Sequence, residues 1–543
     1  MTNVNSILLN AMLLTDGYKL GHKLMYPNGL VKLYSNLTPR SNKHFQDADN
    51  GAVVFGIQYF IKKYLIDEFN NNFFNRDEDE VVNEYNELLV NFLGKETAEM
   101  IGTWHIRALH QLGYLPIKIK ALEEGTYCPL GVPMLTITNT HENFAWLTNY
   151  LETLLSNALW KPINSATTAD VFKRELIRHA EKTGFYDENH PENIEFLCHD
   201  FSMRGMSGVE DSIVSGMGHL TSFAGSETVP AVIGANYYYG AGLNCAGTIP
   251  ATEHSIECAN AVGVDGVPDD EVYFAEMLKR FPSGFISIVS DGFDYWKMIE
   301  EIVPKYKSQI MNRDGRVVIR PDSGDPVDII CGLNSRDDLE FSKMRRGYAY
   351  RYKNSNDEWS VCTDAAYYGT YEYLYMIFGG NVNQNGYKVL DTHIGLIYGD
   401  AINMKRQRQI YNRLEKKMFA ATNLVLGIGS FTYQCATRDN LGLAMKATYC
   451  EIEEIHDNLS TIICKNIFKD PKTVVGMPKK SLKGLIAVVE ENGEIVAHDT
   501  VTKDVENTGL LKTVFENGKL TRQVTLDEIR ATLRKNAYDS LKF

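Results

Sequence analysis

The chain has 543 residues, of which 44% are hydrophobic and 23% are charged, a composition typical of a globular protein with at least two domains. Its net charge of −14, without a run of basic residues, argues against nucleic acid or an anionic membrane as main partner, because both need a basic face. Nine cysteines without a C-x-x-C pair predict buried thiols in a reducing compartment, and no segment approaches a membrane span. We therefore expect a cytoplasmic protein.

The first third of the chain is predicted to mix helices and strands. Residues 67–95 are acidic with helical periodicity, and residues 115–119 and 133–137 have the composition of strands. Residues 146–160 predict a mostly buried helix.

The middle of the chain alternates short apolar runs with helical segments. The runs are 285–289, 317–320, 394–398 and 424–426, and each ends in turn or polar residues. Continuous apolar runs are typical of parallel strands that are buried on both faces, and such sheets carry their chemistry beyond the carboxyl ends of the strands. The helical candidates are 207–220, 254–262, 294–311 and 404–419.

These patterns predict an α/β protein with two domains. Residues 166–446 are expected to form a β/α-barrel-like domain that carries the site, interrupted by an insertion at 334–389, where Tyr, Asn, Asp and Gly are frequent and periodicity is lost. Short strand candidates lie at 461–468, 485–489 and 511–516. Residues 447–543 are therefore expected to join residues 1–165 in a second α/β sheet domain.

The polar residues at the strand ends predict a site for an anionic sugar. Arg320 offers a planar fork for a phosphate or an amide, and Asp322 and Asp400 offer acceptors for hydroxyl groups or a hard cation. Gly427 and Gly429 allow backbone N–H groups to approach a phosphate closely. Neither a third dinucleotide-binding glycine nor a P-loop follows, so a Rossmann or P-loop site is not supported.

His254 is a second candidate, in the segment Thr248-Ile249-Pro250-Ala251-Thr252-Glu253-His254-Ser255. Thr252 is predicted to cap a helix, which would place His254 in the first turn, where N–H groups favour anions. A histidine that only caps or packs is the alternative on local sequence. The cluster His199-Asp200-Phe201 with Arg204 offers a ring for stacking. Tyr18 and Arg40 lie in turn-like surroundings, where surface anchoring is the simpler interpretation.

Seven motifs together resemble one family. They are Leu13-Leu14-Thr15-Asp16-Gly17-Tyr18-Lys19, His199-Asp200-Phe201 with Arg204-Gly205, Pro250-Ala251-Thr252-Glu253-His254-Ser255, Ile319-Arg320-Pro321-Asp322-Ser323-Gly324, Tyr398-Gly399-Asp400, Thr437-Arg438-Asp439 and Phe468-Lys469-Asp470-Pro471. In this order they resemble the nicotinamide phosphoribosyltransferases, and the match spans nearly the whole chain.

The resemblance implies a type II phosphoribosyltransferase fold and a homodimer with active sites at the interface. The implied reaction joins nicotinamide to 5-phosphoribosyl 1-pyrophosphate, giving nicotinamide mononucleotide and pyrophosphate, as in NAD salvage. It also implies ATP as a co-substrate, with Mg²⁺ bound mainly through pyrophosphate and a phosphohistidine.

The resemblance further implies roles for individual residues. Phe201 and Tyr18, the latter from the partner subunit, would sandwich the pyridine ring, with Arg320 near the amide. Asp322, Gly399 and Asp400 would hold the ribose hydroxyls. The implied phosphate ligands are Gly429, Ser430, Arg438 and Lys446 for the 5-phosphate, and Arg40, Arg204, Lys469, Lys479 and Lys480 for pyrophosphate or nucleotide phosphates. Ser290 and Asp294 would line the same tunnel, and His254, beside Glu253, would accept the phosphoryl group of ATP.

Two positions depart from the family pattern. Glu227 stands where an aspartate usually accepts a hydrogen bond from the nicotinamide NH₂, and Ile428 and Ser430 replace glycines in the phosphate loop. Glu227 still favours nicotinamide, because a carboxylate repels a second carboxylate.

Other classes of protein are weighed against this one. A nicotinate phosphoribosyltransferase is the alternative, and Glu227 disfavours it. A type I phosphoribosyltransferase is set aside, because Asp269-Asp270-Glu271 lacks the small-residue loop that follows the paired acids in that class. A non-catalytic sugar-phosphate binding protein is disfavoured by the joint presence of His254, Glu253 and Asp322.

Overall fold

A computed structural model describes residues 9–49, 51–187, 190–344, 350–353, 356–399, 401–457, 459–471 and 480–535, so Asp400 and Lys479 lie outside the described residues. The chain divides into two compact units. The first unit is Met1–Thr167, Ile233–Gly242 and Ala436–Phe543, and the second is Thr168–Val232 and Leu243–Cys435. Both ends of the chain thus belong to the first unit. Within the described ranges, no helix combines the length and apolar character needed to cross a bilayer.

The strands, in chain order, are β1 Leu30–Thr38, β2 Gly51–Val53, β3 Ile117–Ala121, β4 Tyr127–Pro129, β5 Leu135–Asn139, β6 Cys198–Phe201, β7 Gly225–Ser226, β8 Gly284–Val289, β9 Gly315–Arg320, β10 Phe341–Lys343, β11 Tyr350–Lys353, β12 Trp359–Cys362, β13 Gly380–Val382, β14 Lys388–Leu390, β15 Ile394–Tyr398, β16 Phe419–Ala420, β17 Leu424–Gly429, β18 Ala444–His456, β19 Leu459–Asn466, β20 Leu485–Glu491, β21 Glu494–Val501, β22 Lys512–Glu516 and β23 Lys519–Leu520.

The α-helices are His22–Met25, Ile57–Phe60, Glu78–Leu93, Lys95–Ile101, Trp104–Leu112, Leu147–Tyr150, Glu152–Thr183, Val209–His219, Val229–Tyr239, His254–Ala261, Asp270–Arg280, Tyr295–Lys297, Val303–Lys305, Lys307–Met311, Pro326–Cys331, Asp364–Tyr368, Thr370–Phe378, Met404–Lys416, Ser430–Gln434, Lys503–Glu506 and Leu526–Leu533. Within the described residues, π-helical stretches include Ile61–Glu68, Asn70–Phe74 and Met298–Ile302.

The first unit is built on a seven-stranded antiparallel sheet with the order β19-β18-β1-β5-β3-β22-β23. Strand β3 shows why one face packs inward: Ile117, Ile119 and Ala121 are buried and alternate with half-buried Lys118 and Lys120. These residues join one hydrophobic core with side chains from the end of the chain. The unit is therefore folded from both termini.

The second unit is built on a six-stranded parallel sheet with the order β7-β6-β17-β15-β9-β8. Its strands are largely apolar, and all five residues of β15 are buried. Isolated parallel bridges join Gly247 to Gly225 in β7 and Ala251 to Ser287 in β8. One short segment thus touches both edges of the sheet, which gives a barrel-like ring. Together the two sheets confirm the predicted fold class.

Two helices differ from the sequence expectation. The helix predicted at 146–160 is instead Leu147–Tyr150 followed by the 32-residue helix Glu152–Thr183, which continues through Pro162. Proline is disfavoured inside a helix, so local sequence underestimates this length. The segment 294–311 forms a series of short helical pieces rather than one helix.

The segment 334–389 contains regular structure. Strands β10, β11 and β12 form a three-stranded antiparallel sheet, in which the Tyr350 ring stacks on Tyr367 with centroids 3.5 Å apart. The helix Thr370–Phe378 follows, and it buries Tyr371, Leu374 and Phe378. Aromatic packing therefore stabilises this segment, although its sequence has no periodic apolar pattern.

Candidate active site

A cavity of about 1400 Å³ opens at the carboxyl ends of the parallel strands of the second unit. The predicted site residues that line it are Phe201, Arg204, Glu227, Glu253, Arg320, Asp322, Gly399, Gly429 and Ser430. All of them except Glu253 lie at or just beyond the carboxyl ends of five of the six strands, because parallel strands direct these ends to one rim. The cavity therefore brings aromatic, cationic, carboxylate and backbone groups to a single place.

Phe201 and Arg320 form an aromatic and cationic wall of the cavity. The guanidinium carbon of Arg320 lies 5.6 Å from the centroid of the Phe201 ring, and its Nη1 donates to the carbonyl of Thr252 at 3.2 Å. The buried Nε of Arg320 has no hydrogen-bond partner among the described residues. The guanidinium group thus keeps donor capacity for a ligand.

Glycine allows the Phe201 ring to lie where it does. A Cβ on Gly427 would come 2.5 Å from the ring, and a Cβ on Gly399 would come 2.9 Å from it. Real Cβ atoms do not approach so closely, so any larger residue would displace the ring. The glycines at the ends of β15 and β17 therefore shape a flat aromatic surface.

His254 is the first residue of the helix His254–Ala261, and its side chain is 45% exposed. Its Nε2 lies 3.1 Å from Oδ1 of Asp291, whose side chain is only 3% exposed. The other oxygen of Asp291 accepts from the backbone N–H groups of Asp322 (2.9 Å) and Ser323 (2.7 Å). Asp291 thereby ties the imidazole to the loop that carries Asp322.

Sequence reasoning did not single out Asp291 as a site residue. The signal was present, since Asp291 follows β8 as Asp322 follows β9. The side-chain contact with His254 depends on tertiary structure, because 37 residues separate the two.

Thr252 does not cap the helix of His254, contrary to the sequence expectation. Glu253 occupies the N-cap position, and its carboxylate accepts a hydrogen bond from the Ser255 hydroxyl. The hydroxyl of Thr252 instead contacts the Tyr273 hydroxyl at 2.6 Å and accepts from the Val289 amide at 2.9 Å. Thr252 therefore fastens this segment to β8.

Glu227 faces the cavity just beyond β7. Its carboxylate accepts a hydrogen bond from the Thr248 hydroxyl, and its backbone N–H donates to the carbonyl of Asp200 at 2.9 Å. The acidic group is thus held in place at the rim while remaining exposed. It can accept a hydrogen bond from a ligand amide.

The phosphate loop predicted after β17 keeps an open approach. Gly429 has no atom within 4 Å of an added Cβ, and the Ile428 side chain is fully buried in the core. A Cβ on Gly205 would come 2.1 Å from the Ser430 hydroxyl, so Gly205 leaves room for that side chain. Ile428 and Ser430, which replace glycines of the family pattern, therefore do not block the approach to the loop.

Comparison with known proteins identifies the family. Residues 196–519 match the model of the nicotinate phosphoribosyltransferase (NAPRTase) family, and residues 10–119 match the N-terminal domain of nicotinamide phosphoribosyltransferase. A nicotinamide phosphoribosyltransferase of Acinetobacter baylyi is 42% identical over 539 residues, 97% of this chain and 98% of the relative. The chain belongs to the nicotinate and nicotinamide phosphoribosyltransferase family.

Two solved structures share the fold of this phosphoribosyltransferase. A nicotinate-nucleotide pyrophosphorylase from Pyrococcus furiosus matches with a TM-score of 0.53 at 16% identity, covering 100% of this chain and 99% of the other. The human nicotinic acid phosphoribosyltransferase matches with a TM-score of 0.51 at 15% identity, covering 96% and 93%. At this identity the likeness concerns the fold.

Two predicted residues of the phosphoribosyltransferase, Ser290 and Asp294, are not among the residues that line the cavity. Ser290 is 1% exposed, and its hydroxyl donates to the carbonyl of Ile288 at 2.7 Å. Asp294 caps the short helix Tyr295–Lys297 and accepts from the Lys297 amide at 3.0 Å. Both side chains thus make structural contacts at the end of β8.

The remaining described candidates, Tyr18, Arg40, Arg438, Lys446, Lys469 and Lys480, belong to the first unit. There, Arg40, Arg438, Lys446 and Lys469 form a basic group. Burial lowers the pKa of Lys446, Glu152 raises it, and Arg40, Lys469 and Arg438 lower it further. Mutual repulsion of this kind marks a set of cations that an anion would stabilise.

The described carboxylates that line the cavity of the phosphoribosyltransferase suit an Mg²⁺ ion that takes other ligands from phosphates. In the part of the chain that the structure describes, no three His, Cys, Asp or Glu side chains are arranged to hold a metal ion. Glu253 and Asp322 nevertheless offer carboxylate oxygens to the cavity. Mg²⁺ commonly binds one or two carboxylates and takes its other ligands from substrate phosphates and water.

Proposed function

We propose that this chain is a nicotinamide phosphoribosyltransferase, which converts nicotinamide and 5-phosphoribosyl 1-pyrophosphate into nicotinamide mononucleotide and pyrophosphate. The observation that carries the proposal is the convergence of Phe201, Arg320, Glu227 and Asp322 on one cavity in a member of this family. These groups match a pyridine ring, its amide and a ribose.

The pyridine ring is proposed to stack on Phe201, with Arg320 beside the amide carbonyl. Stacking of this kind contributes roughly 0.5–1.5 kcal/mol beyond burial. Tyr18 of the partner subunit is proposed to cover the other face of the ring in a homodimer. Its 62% exposure in this chain leaves the ring available for such a contact.

Glu227 is proposed to select nicotinamide over nicotinate. Its carboxylate accepts a hydrogen bond from an NH₂ group, whereas the carboxylate of nicotinate offers no donor and repels it. The Thr248 hydroxyl orients Glu227 and leaves its second oxygen for the substrate.

The sugar and its phosphates are proposed to bind along the adjoining strand ends. Asp322, Gly399 and Asp400 would hold the ribose hydroxyls, and Gly429 and Ser430 the 5-phosphate. The further phosphate ligands proposed are Arg204 in the second unit, and Arg40, Arg438, Lys446, Lys469, Lys479 and Lys480 in the first. Ser290 and Asp294 are proposed to line the same tunnel.

The reaction follows from the charges that develop. The bond from the anomeric carbon to pyrophosphate breaks as the pyridine nitrogen attacks from the opposite face, so positive charge builds on the sugar and negative charge on the leaving group. Asp322 lies on the sugar side, and the arginines stabilise the departing anion. Mg²⁺, when bound, supplies further neutralisation of the pyrophosphate oxygens. The protein itself positions the two reactants.

His254 is proposed to accept the γ-phosphoryl group of ATP. The Nε2 contact with Asp291 fixes the ring and leaves the other nitrogen for attack, and the exposed position at a helix start suits an anion. Glu253, the preceding residue, offers carboxylate oxygens beside the imidazole. ATP is thus proposed to act as a co-substrate that stimulates synthesis in the cytoplasm.

Mass spectrometry of the products tests this function. The chain is incubated with phosphoribosyl pyrophosphate and Mg²⁺, with either nicotinamide or nicotinate, and with or without ATP. We expect nicotinamide mononucleotide and pyrophosphate, formed at least about 10-fold faster than the nicotinate product and faster still with ATP. Equal rates for both bases would reject the role of Glu227, and no mononucleotide from either base would reject the function.

A further inference from the structure

Two cations that no motif singles out line the same cavity. Lys405 and Arg406 lie in the first turn of the helix Met404–Lys416, directly beyond the loop that follows β15. They share the cavity wall with Ser430, Phe431 and Thr432. None of the motifs assigns a ligand to this part of the wall, so its positive charge needs an explanation of its own.

Hydrogen bonds place these cations beside the phosphate loop. The Thr432 hydroxyl donates to the carbonyl of Ile402 at 2.8 Å, which joins the segment after β17 to the segment before Lys405. Nη1 of Arg406 donates to the carbonyl of Ala401 at 2.6 Å and so folds the side chain back towards this junction. The position of the guanidinium group is therefore fixed by the fold.

The two cations are incompletely neutralised. The Lys405 ammonium group makes no hydrogen bond or ion pair with any side chain in the described ranges, and the residue is exposed to the cavity. Nη2 of Arg406 lies 3.8 Å from Asp325, whose other oxygen accepts from the Val327 amide at 2.9 Å. Asp325 is thus shared with a helix cap, which leaves positive charge on this wall.

We propose that Lys405 and Arg406 form an anion subsite that binds the 5-phosphate of the phosphoribosyl group. The inference rests on the proposed function and extends it to residues outside the family motifs. Gly429 leaves the approach to this loop open, and Ser430 lines the same cavity as the two cations. Cationic side chains from the adjoining helix add to the backbone N–H groups of the loop, because charged hydrogen bonds to phosphate are stronger than neutral ones.

Equilibrium binding separates this subsite from the pyrophosphate site. Nicotinamide mononucleotide carries the 5-phosphate without pyrophosphate, and free pyrophosphate lacks the 5-phosphate. Calorimetric titration of each ligand is compared for the parent, Lys405→Gln and Lys405→Arg. Lys416→Gln is the matched control: it removes the same charge from the far end of the same helix, where Lys416 contacts Asp337 at 2.9 Å outside the cavity.

We expect Lys405→Gln to weaken binding of nicotinamide mononucleotide about 10-fold and to leave pyrophosphate unchanged. Lys405→Arg should restore the affinity, Lys416→Gln should match the parent, and the difference should shrink at high salt. Weaker pyrophosphate binding with unchanged mononucleotide binding would overturn the assignment, as would no change in either.

Inorganic phosphate distinguishes failure of the subsite from failure of the proposed function. A parent chain that binds no mononucleotide and makes none contradicts the function. The subsite is then judged by phosphate alone, which should bind the parent more tightly than Lys405→Gln; equal phosphate affinities would refute the subsite.

Discussion

Single residues around His254 create an unusual electrostatic environment. Asp291 contacts the imidazole directly, and Glu257, one helical turn after His254, is fully buried. A Cβ on Gly292 would come 2.3 Å from Oε2 of Glu257, so the carboxyl group packs against that backbone. The groups that face Glu257 are Asp270, His254, Asp291 and the Gly292 amide. A buried acid therefore lies close to the proposed phosphorylation site.

The stability of the second unit should depend on pH through Glu257. Burial raises its pKa to about 7 from the ordinary 4.5; the Gly292 amide lowers it, Asp270 raises it, His254 lowers it and Asp291 raises it. Between pH 4.5 and 7 the folded state holds the Glu257 proton more tightly than the unfolded state does. The protonated carboxyl group therefore contributes its full stability below pH 4.5, and the free energy of unfolding falls as pH rises towards 7. Glu257→Gln stays neutral and should escape this loss, which we place on the order of 2 kcal/mol.

Urea unfolding at pH 5 and pH 8 measures the effect. The free energy of unfolding of Glu257→Gln relative to the parent should increase between the two pH values. Glu301→Gln, which changes an exposed glutamate of the same unit, should show no such increase. A difference that is the same at both pH values would show that Glu257 ionises normally in the fold.

At the scale of elements, the ends of three neighbouring strands form one surface. Phe201 in β6 pairs in register with Gly429 in β17, and its ring reaches across Gly427 and the Gly399 position after β15. The aromatic surface thus depends on two strands that contribute no side chain to it. Strands β15 and β17 contribute to this surface by leaving room for the Phe201 ring.

Two glycines of β17 should therefore respond differently to alanine. Gly427→Ala places its Cβ 2.5 Å from the Phe201 ring and 2.7 Å from the Gly399 backbone, so we expect a loss of about 1–3 kcal/mol in stability and a raised KM for nicotinamide. Gly429→Ala meets no atom within 4 Å and should keep the parent stability, while raising KM for phosphoribosyl pyrophosphate. Steady-state kinetics with each substrate varied in turn separates the two, and identical KM changes would argue against separate base and phosphate positions on this strand.

At the scale of the whole molecule, the strand ends were the most predictable feature. Runs such as Ile394–Tyr398 are apolar because both faces of a parallel strand are buried, so their polar neighbours could be assigned to one rim. The length of the helix Glu152–Thr183 and the contact between His254 and Asp291 could not be predicted in this way. Both depend on packing between segments that are distant in sequence, which overrides Pro162 in one case and creates a new pairing in the other.

The joining of both chain ends in one sheet domain was expected from the sequence, but the strands that pair became visible only in the structure. Strand β22 pairs with β3, and β18 pairs with β1, across hundreds of residues. Phe515 is 0% exposed and lies opposite Ile119 in this pairing. Strand β22 lies near the end of the chain, yet the side chain of Phe515 completes a core that is formed by residues near the start.

Phe515→Ala should therefore loosen strands that are distant from it in sequence. Removing a buried phenyl ring typically destabilises a core by about 3–5 kcal/mol. Hydrogen exchange should become faster in Leu30–Thr38, Ile117–Ala121 and Leu135–Asn139 of the first unit and stay slow in Ile394–Tyr398 of the second. Phe92→Ala, which removes a ring that is 64% exposed in the same unit, should leave all four strands protected. Faster exchange confined to residues near 515 would mean that the two ends of the chain do not share one cooperative core.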